Sequence, residues 1–267
     1  MKQTTLILLL FFSFSAFSQE DKTIKLIKKS GYTVSTTYEY LPKFGEIDFS
    51  TKFLIKRKKY NSEGRAVKEE SFYRGDDSNE YARIVNNQYK DKKDLVKRVN
   101  YNYKGDIENI IKYEYQDSLM KVIRIYSKEG NLRRKVNYNY NNLNKPITEL
   151  SYEASGEFSG KYTNEYNSKN KLIRQNSFGK NNQLESYILY ETTDSTDVYS
   201  IFDKNNKKTY YSFKKLNKEG LPIESKSSYD SKLSKEVYEY NIDGLEIKTI
   251  SYGKNGEPKT LSITEWE

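Results

Sequence analysis

Apolar and polar residues alternate with a period of two along most of the chain. Between Gly130 and Tyr140, Leu132, Arg134, Val136, Tyr138 and Tyr140 fall on one side of an extended backbone. Arg133, Lys135, Asn137 and Asn139 fall on the other. This is the pattern of a strand with one covered face. It recurs from Ile107 through Ile111, Tyr113 and Tyr115, and again from Ile223 to Tyr229. Beyond the N-terminal segment, no helical spacing is sustained.

Turn signals punctuate the alternation at regular intervals. Tyr60-Asn61-Ser62-Glu63-Gly64, Tyr126-Ser127-Lys128-Glu129-Gly130, Leu216-Asn217-Lys218-Glu219-Gly220, Tyr240-Asn241-Ile242-Asp243-Gly244 and Tyr252-Gly253-Lys254-Asn255-Gly256 share one form. Asparagine folds its side chain onto the following backbone, and glycine accepts positive φ. Asn144 and Asn170 stand where glycine is expected and tolerate the same region. Aromatic residues precede these turns at a step of 26: Tyr126, Tyr152 and Phe178; Tyr140 and Tyr166; Tyr89 and Tyr115; Tyr240 and Trp266. A fixed period marks a repeat architecture.

Each half-step supplies one strand and one short turn, and connections this short join antiparallel neighbours. About fifteen strands are expected from Tyr60 to Trp266. The predicted fold is all-β: an elongated, curved antiparallel meander, either a single twisted sheet or an open spiral, because wide sheets coil. Residues 19–59 read as degenerate copies of the repeat, so 19–267 is expected to form one domain.

The N-terminus reads as an export signal. Lys2 precedes an apolar run from Leu6 to Phe14, and Ala16-Phe17-Ser18 places small residues before Gln19. Cleavage after Ser18 is expected. The run is too short to span a bilayer, and no later stretch is apolar enough to do so. The predicted location is beyond the inner membrane of a bacterium: periplasm, cell surface or medium.

Composition narrows the chemistry. The chain has 46 basic and 37 acidic residues, no histidine and no cysteine. Residues 1–18 carry one basic and no acidic residue, which leaves +8 of the formal +9 on the remainder. Without histidine or cysteine there is no conventional serine–histidine or cysteine–histidine nucleophile, no usual zinc ligand set and no disulfide. No cofactor and no catalytic or metal residues are expected. Lysine interleaved with aromatics resembles a single-strand binding platform, but export argues against nucleic acid as partner.

The segments Tyr238-Glu239-Tyr240-Asn241-Ile242-Asp243-Gly244-Leu245-Glu246-Ile247 and Tyr101-Asn102-Tyr103-Lys104-Gly105-Asp106-Ile107 resemble the YD repeat of Rhs-type proteins. Asparagine here takes the aspartate position. The resemblance covers most of the chain beyond the signal and also extends to secreted YD-like repeat proteins of Bacteroidota. It implies an extended, spiralling β-sheet, with surface roles and carbohydrate binding ascribed to the repeat. This chain is too short to close a toxin shell and carries no recognisable processing or toxin segment.

Candidate sites are few. Tyr101, Tyr103, Tyr113, Tyr115, Tyr138 and Tyr140 form a stripe if strands pair in register, suited to stacking on sugar rings. The same stripe also serves as cross-strand packing. Arg74-Gly75-Asp76 is an adhesion-type tripeptide. Asp203-Lys204-Asn205-Asn206-Lys207 begins like a calcium loop, but Lys207 stands at a ligand position. Asp194 and Asp197 flank the longest break in the repeat. The expected function is non-enzymatic binding of a glycan or a protein partner at the cell envelope. The alternatives are an assembly module that pairs through free strand edges, and an envelope hydrolase using two carboxylates.

Overall fold

A computed structural model describes residues 14–73, 81–92, 94–229 and 232–267. Most of the export signal and the Arg74-Gly75-Asp76 tripeptide lie outside the described residues. One helix, α1 (Phe14–Ser30), precedes eighteen strands. These are β1 Val34–Lys43, β2 Glu46–Tyr60, β3 Ala66–Phe72, β4 Tyr81–Lys90, β5 Asp94–Tyr101, β6 Ile107–Gln116, β7 Leu119–Ser127, β8 Leu132–Tyr140 and β9 Pro146–Glu153. Then follow β10 Phe158–Tyr166, β11 Leu172–Phe178, β12 Leu184–Thr192, β13 Thr196–Asp203, β14 Lys208–Leu216, β15 Pro222–Tyr229, β16 Lys232–Tyr240, β17 Glu246–Tyr252 and β18 Pro258–Trp266.

Every strand pairs antiparallel with its sequence neighbours, and β1 also pairs with β18. The sheet is therefore a closed barrel. This corrects the open, elongated meander or spiral expected from the repeat alone. The reason lies in residues 19–59. They hold two full strands, and β1 offers the ladder that β18 needs. Closure removes both free edges, and with them the motive for edge-to-edge assembly. The helix is a second correction: α1 runs through Ser18 and on to Ser30, where no helix was expected. Sixteen strands, β3 to β18, occupy the span for which about fifteen were expected.

The paired residues can be followed once round the wall. The path returns to β1 displaced by about 18 residues, which sets a strand tilt near 35° and, for a round section, a backbone radius of about 17 Å. A barrel of this strand number has room for a channel rather than a filled core.

The turns form as their residues predict. The Asn141 side-chain oxygen accepts the backbone N–H of Leu143 and Lys145, at 3.0 and 2.9 Å. Asn61, Asn102 and Asn167 do the same in their own turns. Asn144 and Asn170 take φ of 57°, as expected for glycine substitutes. Asp203 is used in the same way, accepting from Asn205 and Lys207, so its carboxylate serves a turn. At Gly64 a further demand applies. A Cβ there would lie 2.3 Å from the Ile24 carbonyl of α1. The helix rests on this turn and on those at Gly220 and Gly244, with a Lys28–Glu63 ion pair at 2.8 Å. Ile27 of α1 and Leu245 beside Gly244 are among the most deeply buried side chains of the chain. This rim of the barrel is called the near rim below, and the opposite one the far rim.

The 26-residue aromatic period has a structural cause at the near rim. The ladder between β7 and β8 stops at Val122–Asn137, two residues short of Met120. There Tyr140, at the end of β8, donates its hydroxyl to the Met120 carbonyl at 2.5 Å. The same geometry recurs with Tyr89 on Ala66, Tyr115 on Leu95, Tyr166 on Pro146, Tyr240 on Pro222 and the Trp266 indole N–H on Glu246. Each aromatic seals the gap where one hairpin parts from the next. The other aromatic series lies towards the far rim. There lysine ammoniums sit over Tyr126, Phe178 and Tyr252 at 4.7 to 5.7 Å.

The seal has a measurable value. Tyr140→Phe leaves the Met120 carbonyl without its donor and is expected to cost about 1 kcal/mol in chemical denaturation. Tyr103→Phe, at an exposed turn, is expected to cost nothing measurable. Equal stability of Tyr140→Phe and the parent would show that the hydroxyl does not hold the rim.

Candidate functional site

Register decides which side chains face the interior. Tyr113 of β6 lies opposite Ile123, Ile123 opposite Val136, and Val136 opposite Ser151. Tyr138 lies opposite Glu149, and Glu149 opposite Tyr162. This face also carries Asn100 and Asn109, Ser225, Glu236 and Tyr238, and Thr37 opposite Lys56. Burial falls on these groups. It raises the phenols of Tyr113, Tyr138, Tyr162, Tyr190 and Tyr238 and the carboxyls of Glu149 and Glu246. It also holds the Lys56 ammonium below its usual range. Lys56 nevertheless remains exposed to solvent. A side chain walled in by protein yet wetted lines a water-filled space, so the lumen is wet.

Polar contacts run round the lumen wall. Arg98 donates to Asn87 at 2.9 Å, and Asn87 donates to the Ala66 carbonyl at 2.8 Å. Asn100 accepts from Arg83 and donates to Asn109. Gln175 donates to Asn164, which donates to the Pro146 carbonyl. Across the barrel, Tyr238 donates to Glu236 at 2.5 Å. Such networks hold their members in fixed positions.

Glu149 is the centre of the most aromatic sector. Tyr138 donates its hydroxyl to this carboxyl, and the charge of Glu149 reaches Tyr138, Tyr140, Tyr162, Tyr166 and Tyr190. Burial pushes the Glu149 carboxyl up to about 7, against the lowering effect of the Tyr138 hydrogen bond. Beside it, the Tyr190 hydroxyl is buried without a partner. Ring contacts continue along the wall from Tyr190 to Tyr199 to Tyr210, at 6.2 and 5.5 Å. The sector presents aromatic faces, hydroxyls and one protonatable acid to the lumen.

The six tyrosines of the expected stacking stripe are split among three places. Tyr113 and Tyr138 line the lumen. Tyr115 and Tyr140 also face inward, but their hydroxyls are taken by the near-rim seals. Tyr101 is half-buried on the outer face, and Tyr103 is exposed at a far-rim turn beside Tyr73. Glu149, Tyr162, Tyr190 and Lys56 went unnoticed in the sequence. A register shift between Asn139 and Tyr140, beside the Asn141–Asn144 turn, is what brings Tyr138 opposite Glu149, and plain counting outward from the turn misses it. Asp194 lies in the turn between β12 and β13, where Thr193 and Thr196 close on each other, and Asp197 is the second residue of β13.

The outer face has another character. Arg124 pairs with Glu114, Lys248 with Glu239, and Glu224 with both Lys226 and Lys235. Arg124, Lys226 and Lys235 sit in mid-strand, and Lys248 with Glu239 lies nearer the β16–β17 turn. A membrane barrel shows lipid an apolar band about 25 Å tall, and each Arg or Lys at its centre costs about 2–4 kcal/mol. This wall is built for water. Among the described residues, no helix is long and apolar enough to cross a membrane.

No protein-family model matches the chain, and no curated protein matches it. Several solved structures are similar in outline. A porin-like protein from Bacteroides uniformis shares 12% identity at a TM-score of 0.47, over 88% of this chain and 98% of that one. A porin-like protein from Bacteroides vulgatus shares 9% at 0.29, over 88% and 98%. The Photorhabdus luminescens Tc holotoxin pore shares 8% at 0.26, over 84% of this chain and 17% of that chain.

The Glu149 environment predicts a pH dependence. Its carboxyl titrates higher in the folded state than the ordinary 4.5. The folded state therefore binds the proton more tightly. Its contribution is fully present below pH about 4.5 and is lost as pH rises through about 7. Glu149→Gln, which keeps a partner for Tyr138, is expected to be more stable than the parent at pH 8 by about 1–3 kcal/mol. The advantage should shrink towards zero near pH 4.5. A difference that does not change with pH would contradict the assignment.

Proposed function

We propose that this protein is an extracytoplasmic, non-enzymatic binding barrel that holds a carbohydrate chain in its lumen. The wet, tyrosine-lined interior carries this reading. Sugars present alternating apolar ring faces and hydroxyl edges. Aromatic faces beside asparagine, serine and carboxyl groups meet both needs, and carriers of long polar chains need a wet channel more than a dry pocket. The export signal at 1–18 and the water-facing outer wall support a location in the envelope, outside the bilayer. Kinship with the YD repeat is part of the same proposal. It is supported by the Tyr-Asn-x-x-Gly turns and by the near-rim tyrosines that give the repeat its period.

A hydrolase is the weaker reading. Glu149 is the acid best placed in the lumen, but the group that meets it is the Tyr138 phenol rather than a second carboxylate. Paired acid and base carboxylates flanking a bond are what glycoside hydrolysis requires.

The single tryptophan provides a direct test. Trp266 faces the lumen and touches Tyr32 and Tyr60 at 5.9 Å. An oligosaccharide found on a glycan array is expected to shift Trp266 emission saturably and to shield it from acrylamide. Tyr138→Ala should weaken this response by about ten-fold. No saturable binding across the array, or binding that leaves Trp266 unchanged, would contradict lumenal capture.

A further inference from the structure

The β1–β2 hairpin projects beyond the far rim. The β1–β18 ladder ends at Tyr40–Leu261, and the β2–β3 ladder runs no further than Lys56–Ser71. Residues 41–54 therefore lie outside both flanking ladders. Their own pairing is interrupted at Phe49–Lys52. There Asp48 accepts from Ser50, and Thr51 bonds the Asp48 carbonyl.

The tip of this hairpin is chemically unusual. Phe44 and Gly45 both have positive φ, at 54° and 87°. A two-residue turn of that kind favours asparagine followed by glycine. The other non-glycine residues with positive φ among the described residues are Asn, Asp, Lys or Ser. Phe44 alone is aromatic, and it is fully exposed at 97%. The backbone is strained for a bulky residue, and the ring covers nothing within the fold. Strain and exposure together point to a contact outside the molecule.

The exposed aromatics are also gathered. Phe44, Phe49, Tyr73 and Tyr103 are the exposed aromatic rings among the described residues. They sit on the hairpin and at the next two turns along the same rim. Of the exposed aliphatics, Leu143, Ile147, Ile173 and Ile242 lie at or next to the near rim, and Leu233 lies at the far-rim start of β16. Lysine ammoniums lie beside two of the aromatic tips: Lys43 over Phe44 at 5.8 Å and Lys104 over Tyr103 at 5.4 Å.

We infer that the far rim docks peripherally on an anionic lipid surface, with Phe44 as the inserting residue. Three features favour a bilayer over a protein. Phe44 and Tyr103 stand on turn residues, and Phe44, fully exposed, lines no groove. Two of the rings, Phe44 and Tyr103, lie beside lysines, as interfacial anchors do. The chain beyond the export signal carries a formal charge of +8, which draws it to anionic headgroups. Locally the hairpin is balanced, with Lys43 and Lys52 against Glu46 and Asp48. Long-range attraction therefore comes from the whole molecule and depth from the aromatics. Docking by the far rim leaves the outer wall in water.

Vesicle co-sedimentation of the purified chain tests this. Vesicles of phosphatidylethanolamine with phosphatidylglycerol should retain the protein, and phosphatidylcholine vesicles should retain much less. Phe44→Asn suits the turn and is expected to fold with an unchanged or higher Tm, yet to lower partitioning by about five-fold or more. Phe49→Ser should act in the same direction. Ile242→Asn, an equally exposed change on the near rim, should leave partitioning unchanged. The inference is overturned if the parent does not sediment with anionic vesicles, in which case the rim serves a protein. It is also overturned if Phe44→Asn and Ile242→Asn behave alike, because charge alone would then explain binding.

Discussion

Six residue pairs join the first strand to the last, from Ser35–Trp266 to Tyr40–Leu261. The ladder is extended at the near rim, where Thr33 and Val34 donate to the Glu267 carbonyl and Glu267 donates back to Val34. The hydroxyls of Thr37 and Thr264 meet at 3.0 Å on the lumenal side. Without this seam the chain would be a row of hairpins with two open edges, both of its faces in water. With it, one face is enclosed. The desolvation of Tyr138 and Glu149, the lowered Lys56 and the polar belt through Asn87 and Asn100 all presuppose that enclosure. The seam also places α1 next to the rim, since the helix leads directly into β1.

The aromatic period is explained by the same construction. Hairpins joined in a tilted barrel part from one another at one rim, and each opening exposes a carbonyl that the ladder cannot reach. Tyr140 over Met120 and Trp266 over Glu246 are two of six such openings filled in this way, whereas at β11–β12 the Tyr190 hydroxyl finds no partner and β14 ends on Leu216. A residue needed once per hairpin recurs at the hairpin length, so the period is a consequence of closure geometry.

Much of this was legible in the residues. Alternation located β6 and β8, and the Asn-x-x-Gly turns located their ends. Asn144 and Asn170 took the positive φ that their positions implied. Closure was not legible, because it depends on a pairing between segments more than two hundred residues apart. No local pattern in Val34–Lys43 announces its partner. The degenerate look of 19–59 hid a helix and two strands whose sequence departs from the repeat for good reason. They form the seam and the projecting hairpin, where the repeated hairpin is not wanted. The site was half legible. Tyr113 and Tyr138 were named, but period-two patterning does not say which face turns inward when both faces carry tyrosine and lysine. Only the closed wall distinguishes Glu149, desolvated beside Tyr138, from Glu114, paired with Arg124 in water.

The closing seam can be tested covalently, because the chain has no cysteine of its own. Thr37→Cys with Thr264→Cys places two thiols opposite each other across β1 and β18. Mild oxidation of the folded double variant is predicted to form an intramolecular disulfide in high yield, seen as a faster band on a non-reducing gel. Either single variant should remain unlinked. Failure to cross-link, or disulfides only between molecules, would mean that β1 and β18 do not meet and that there is no enclosed lumen.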